Sequence, residues 1–225
     1  MRGNSVKNSS SFIPESPADT GLTYPESPAA RSRWIAGQRG EKNSLDPGHP
    51  YAWLLEKERD ADGSLVDGLT IFLTNKECPW RCLMCDLWQN TLDETVPAGA
   101  IAGQIDFAIG QAERECGGLA KLRQVKLYNA GSFFDVKAIP KAEDAAIAKR
   151  LAKFDRVIVE CHPALVGDRC LQFRDRLSGQ LEVALGLGTV HPEALQKLNK
   201  RVTLDQFRAA AELVTQNGMD IGTFV

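Results

Sequence analysis

The chain has 225 residues, 43% hydrophobic and 25% charged, which is ample apolar material for one sizeable core and an ordinary soluble composition. Its formal net charge of −2 sets up no overall basic field of the kind that points to nucleic acid or an anionic membrane surface. No apolar run approaches a membrane span, and six cysteines without a secretory leader do not make a disulfide framework, so a reducing, cytoplasmic setting is expected.

Residues 1–30 carry Ser9, Ser10, Ser11, Pro14, Ser16, Pro17, Pro25, Ser27 and Pro28 with few large apolar side chains, and read as a disordered tail. Residues 31–67 shift toward Trp34, Ile35, Tyr51, Trp53, Leu54 and Leu55, and read as an irregular segment that packs on the core. Arg31, Arg33, Arg39 and Lys42 interleave with Trp34 there, a pattern better explained by a solvated surface with one docked tryptophan than by an RNA contact.

From residue 68 to residue 225 strand and helix patterns alternate, the signature of a parallel sheet made of βα units. Leu69 to Thr74 is the first strand. Pro97 opens a helix with Ile101, Ile105, Ile109, Ala112 and Cys116 on one face, stopped by Gly117 and Gly118. Val125 to Tyr128, Val157 to Cys161 and Leu181 to Leu185 are the next three strands. Helices are expected from Ala142 to Phe154 and along Val166, Cys170, Phe173 and Leu177, so Cys116 and Cys170 read as packing residues. A short helix follows Pro192, and a longer one starts at Thr203, where Thr203 and Gln206 form a capping box and Leu204, Phe207, Ala211 and Val214 form the buried stripe. Asn217 and Gly218 end it, and Asp220 to Val225 begin a fifth strand with an unpaired edge.

The loop after the first strand holds Cys78, Cys82 and Cys85, three thiols in eight residues. Thiolates are the usual ligands of iron-sulfur clusters, and a cubane normally takes four, so three leave one iron open. A tetrahedral zinc site is the plainer reading, yet the remaining donors, Cys116, Cys161, Cys170, His49, His162 and His191, form no second close pair.

With its spacers of three and two residues, this motif resembles that of the radical S-adenosylmethionine superfamily, and the resemblance covers roughly Leu69 to Val225. It implies an α/β fold, a partial (β/α) barrel that is incomplete here after the fifth strand. It also implies a 4Fe-4S cluster on Cys78, Cys82 and Cys85, with S-adenosyl-L-methionine on the open iron. An external one-electron reductant would then drive cleavage to methionine and a 5′-deoxyadenosyl radical.

Cofactor contacts carried over by the resemblance gather at the carboxyl ends of the strands. The superfamily's Gly-Gly-Glu stretch, which receives the amino group of S-adenosylmethionine, is replaced by Ala130-Gly131-Ser132 after Asn129. Glu160 is similar to an acidic residue placed near the methionine or ribose end, and His162 follows it where related sequences often have arginine. Gly188 stands where a ribose-binding Glu or Gln is usual, leaving Thr189 as a substitute; Lys200, with Arg201, matches a cation that meets the carboxylate; Met84 takes the place of an aromatic cover for the adenine.

The loop Asn129 to Phe133, the Glu160 region and the Lys200-Arg201 pair are most similar to the subgroup that includes the archaeosine-forming radical enzyme and the Elongator catalytic subunit, which act on transfer RNA. A transfer RNA substrate is the matching expectation, with a small molecule open. Two other readings stand beside the enzyme: a zinc-stabilised binding module, and a degenerate barrel whose cluster serves structure or electron transfer.

Overall fold

A computed structural model describes residues 23–59, 63–117 and 122–224. Residues 1–22 of the tail expected over residues 1–30, the helix stop at Gly118 and the end of the last strand at Val225 lie outside the described residues.

Residues 31–67 are more regular than expected. Helix α1 spans Pro28–Gly37, with Ser27 as its N-cap and proline in its first turn, so it begins inside the stretch read as tail. Strand β1 (Ala52–Arg59) forms a hairpin with β2 (Leu65–Leu73), pairing antiparallel in register from Ala52↔Phe72 to Arg59↔Leu65.

The other elements follow in the expected alternation: α2 (Ala100–Cys116) follows the short pair β3 (Asn75–Lys76) and β4 (Thr91–Leu92), and β5 is Leu122–Asn129. Then come α3 (Asp144–Leu151), β6 (Arg156–Cys161), α4 (Asp168–Arg174), β7 (Gln180–Gly186), α5 (Pro192–Lys197), α6 (Leu204–Gln216) and β8 (Asp220–Phe224). One open sheet runs β1-β2-β5-β6-β7-β8, with every pairing after the first parallel. The molecule is an α/β partial barrel.

Alternate residues of each strand face a core shared with the helices. Leu69, Ile71, Leu127, Val157, Val159, Val183 and Leu185 are fully buried there against Ile101, Ile105, Ile147, Phe173 and Val214. Cys170 is buried in this core and Cys116 is half-buried against it, as expected. On α6 the Thr203–Gln206 capping box is present, while Ala210 rather than Ala211 joins Val214 in full burial.

Two buried polar groups fix the end of β2 and the start of α2. The Gln104 side chain accepts from Thr74 N (2.8 Å) and donates to Thr74 O and Pro47 O (2.8 Å each), completing the backbone bonding where the strand ends. The Glu143 carboxylate accepts from Gly99 N (3.1 Å) and Ala102 N (2.9 Å), capping α2 from another element where the helix dipole favours an anion.

Candidate functional site

A short parallel clip closes the cysteine loop at its base: Asn75 and Lys76 pair with Thr91 and Leu92, and Glu77 N donates to Leu92 O at 2.9 Å. The loop so formed carries Cys78, Cys82 and Cys85, all free, half-buried thiols that line one cleft at the carboxyl ends of the strands. Burial pushes the Cys78 thiol up to about 12 and also raises Cys82, against the pull of Lys200 and Arg39. Among the described residues, no three Cys, His, Asp or Glu side chains converge on a point that a single metal ion could hold.

The opposite wall comes from the end of β5. Gly131 has φ of +133°, and a Cβ there would stand 3.0 Å from Cys78 Cβ and 3.5 Å from its Sγ. Glycine is required at this point for the close approach of the cysteine loop itself. Asn129 also lines the cleft; it is almost fully buried, and neither atom of its side-chain amide has a partner. Ser132 is set behind the wall: it is fully buried, its hydroxyl is 3.5 Å from Cys161 Sγ, and it accepts from His162 N at 3.3 Å.

Glu160 projects into the same cleft from the end of β6. Burial pushes its carboxyl up to about 7, opposed by the Asn129 backbone N–H that it accepts and by the charge of Lys200. Lys200 reaches in from the turn after α5, its Nζ 3.8 Å from where a Gly188 Cβ would stand. The Met84 methyl group lies 3.9 Å from that same point, and Met84 is 51% exposed at the cleft mouth. Gly188 itself is not among the cleft-lining residues; it lies beside Lys200 and Met84 with φ of +83°.

Other expectations separate in space. Thr189 does not line the cleft; its hydroxyl accepts from His191 N at 3.2 Å. Lys200 and Arg201 part company, since Arg201 turns to α1 and donates to Ser32 Oγ (2.6 Å) and Pro28 O (3.3 Å). His162 is no solvated rim residue: it is 8% exposed and stacks on Trp80 with ring centres 4.0 Å apart. Its Nδ1 accepts from Ala164 N at 3.2 Å and its Nε2 donates to Lys200 O at 3.0 Å, so both ring nitrogens are engaged and burial lowers its pKa.

Several lining residues carried no sequence signal. Glu77 gathers Arg39 (2.7 Å), Lys42 (2.9 Å) and Arg81 (3.4 Å) at the cleft edge. On the sheet face below, Tyr51, Phe72, Tyr128 and Phe224 form a row of rings with successive centres 5.6, 5.9 and 6.3 Å apart. Deeper still, Lys126 meets Glu56 (3.4 Å) and Glu58, and Arg156 meets Glu182 (3.6 Å) and Asp220. This face is polar where the other is core, the arrangement of a lined chamber rather than a second packing surface.

No family model matches the chain. An uncharacterised protein of Methanocaldococcus jannaschii is 28% identical over 189 residues, a match covering 80% of this chain and 52% of that protein. Among solved structures, the cobalamin-dependent S-adenosylmethionine radical enzyme OxsB with aqua-cobalamin aligns at a TM-score of 0.50 and 14% identity. The same enzyme with S-adenosylmethionine also bound aligns at 0.51 and 13%; both alignments cover 74% of this chain and 28% of that one. The chain therefore spans about half the length of the curated relative, and far less of the solved enzyme. At these identities the likeness is one of fold: the open sheet is the partial barrel found in radical S-adenosylmethionine enzymes.

Proposed function

We propose that this chain is a radical S-adenosylmethionine enzyme whose Cys78, Cys82 and Cys85 hold a 4Fe-4S cluster. The observation that carries the reading is the placement of three free thiols, in the loop after the first parallel strand, on one cleft at the carboxyl ends of the strands. The donor set suits a cluster: the thiols share a cleft without converging on one point, and in a cubane each thiolate binds a different iron. The unpartnered amide of Asn129 and the buried carboxyl of Glu160 are the polar groups a bound S-adenosylmethionine would satisfy.

When bound, the cluster and S-adenosylmethionine supply reductive cleavage to methionine and a 5′-deoxyadenosyl radical, with the electron from an external one-electron reductant. The protein orients and shields. Gly131 lets the β5 end close on the cysteine loop, Lys200 offers a cation for a carboxylate, and Met84 covers the mouth. Asn129, Ala130, Gly131, Glu160 and Lys200 are the proposed cofactor-contacting set; Ser132 supports it from behind through His162 and Cys161. A labile cluster of this kind requires a reducing setting, and a cytoplasmic location is proposed on that ground alone. Among the described residues no helix is long and apolar enough to cross a membrane.

Carboxylates outnumber cations on the chamber face, where Glu56, Glu58, Glu182 and Asp220 surround Lys126 and Arg156. Among the described residues Lys126 and Arg156 are both paired with carboxylates there, and the transfer RNA expectation rests on the subgroup resemblance alone. A zinc site would need a fourth ligand, which His162 cannot give with both ring nitrogens engaged.

Anaerobic reconstitution with iron and sulfide tests the proposal. A cubane spectrum, with 5′-deoxyadenosine released on adding S-adenosylmethionine and dithionite, is the expected result; stoichiometric zinc without cluster uptake overturns it. A cubane that never cleaves the cofactor points instead to a structural or electron-transfer cluster.

A further inference from the structure

Non-glycine residues with positive φ are uncommon, and such strain collects at sites where the surrounding structure over-determines it. Among the described residues they are Arg81 (51°), Asn199 (55°) and Arg201 (56°), the first inside the cysteine loop and the other two in the turn after α5. The turn and the loop are joined. Asn199 is 2% exposed, and its Nδ2 donates to Trp80 O (3.2 Å), Arg81 O (3.1 Å) and Ser32 Oγ on α1 (3.1 Å). The two carbonyls only accept, so the amide nitrogen must face them. Leu83 N donates to Leu198 O at 2.9 Å one step away, and Lys200 O takes the His162 ring that stacks on Trp80.

From this geometry we infer that Asn199 is a positioning residue: it clamps the Cys78–Cys82 stretch to the turn that carries Lys200, and so sets the spacing of the thiols for the cluster. The inference rests on the proposed cluster function. It goes beyond it by assigning the shape of the loop to a residue over a hundred positions away in sequence. The side-chain hydrogen bonds of Asn199 go to no thiol. It acts through the carbonyls of Trp80 and Arg81, and through Ser32 it ties the same loop to α1.

Asn199→Gly is the discriminating variant, because glycine accepts the positive φ while removing the amide. Two readouts are needed. In the cluster-free chain, labelling with a maleimide is mapped to each cysteine by mass spectrometry. The expected result is acceleration at Cys78, Cys82 and Cys85 by roughly tenfold, the factor that goes with one lost buried hydrogen bond, with Cys161 and Cys170 unchanged. In the reconstituted chain, loss of iron to a chelator is expected to quicken by a similar factor, while the melting curve of the cluster-free chain falls only by the about 2–4 °C per kcal/mol that a chain of this size shows and stays cooperative. Ser32→Ala, which removes one of the three acceptors, is expected to give a smaller change in the same direction. Wild-type labelling and iron-loss rates in both variants overturn the inference, as does equal acceleration at all buried cysteines, which would mean general loosening. If the wild type takes up no cluster, the proposed function falls, and the labelling pattern still decides whether Asn199 holds the loop.

Discussion

Gly131 and Cys78 meet across the cleft so closely that a Cβ on the glycine would lie 3.0 Å from that of the cysteine. With φ at +133° as well, Gly131→Ala is disfavoured twice, by backbone conformation and by contact. The expected outcome is a fold destabilised by about 1–3 kcal/mol and a reconstituted protein with sharply reduced iron. Urea melts and iron analysis check it.

Single serine substitutions at Cys78, Cys82 and Cys85 are expected to remove cluster uptake while changing stability little, because all three thiols are only half-buried. Cys170→Ala inverts that result. Its side chain is fully buried in the core, so the change costs about 1 kcal/mol and leaves iron and sulfide content at the wild-type level. Metal analysis beside denaturant titration separates the two classes.

The raised pKa of Glu160 makes a signed prediction about pH. Burial lifts its carboxyl from 4.5 in the unfolded chain to about 7 in the fold, so between those values the folded state binds more protons. Stability is therefore full below pH 4.5 as far as this group is concerned, and declines as pH rises through 7. The loss is on the order of 3 kcal/mol at completion. Glu160→Gln is expected to be more stable than wild type at pH 8 and nearly equal at pH 4.5, which denaturant melts of the cluster-free proteins measure.

Lys200 is a cleft cation whose charge already bears on Glu160 and Cys82. Lys200→Met keeps the backbone carbonyl that receives His162 and an apolar stem of similar length while removing the ammonium group. Affinity for S-adenosylmethionine is expected to fall by roughly tenfold or more, the scale of a charge-assisted hydrogen bond, with cluster content unchanged. Anaerobic equilibrium dialysis is the measurement.

Much of this was legible before the structure, where local chemistry decides the outcome. The Thr203–Gln206 box, the α2 stripe and the cysteine spacing depend on residues a few positions apart, and each is found where the sequence places it. Strand β1 was not legible because its apolar alternation breaks: Glu56 and Glu58 take chamber-facing positions that would be apolar in a two-layer sheet, and their partner Lys126 is some seventy residues away. The burial of His162 was not legible for the same reason, since it depends on Trp80 and Lys200, two remote contacts. Ser132 occupied the right place in the chain, yet a turn at Gly131 directs it behind the wall.

The hairpin of β1 and β2 also has a meaning in time. It closes across a short connection, whereas each later strand must wait for a crossover before it can pair. Hairpins form in about 1–10 μs, and pairings between distant segments are slower because loop closure comes first. This ribbon is expected to gain hydrogen-exchange protection earliest in pulse-labelled refolding. It ends at Leu73, a few residues before Cys78, so the thiols are anchored to the first ordered piece of the chain, while Asn199 and its turn arrive among the last.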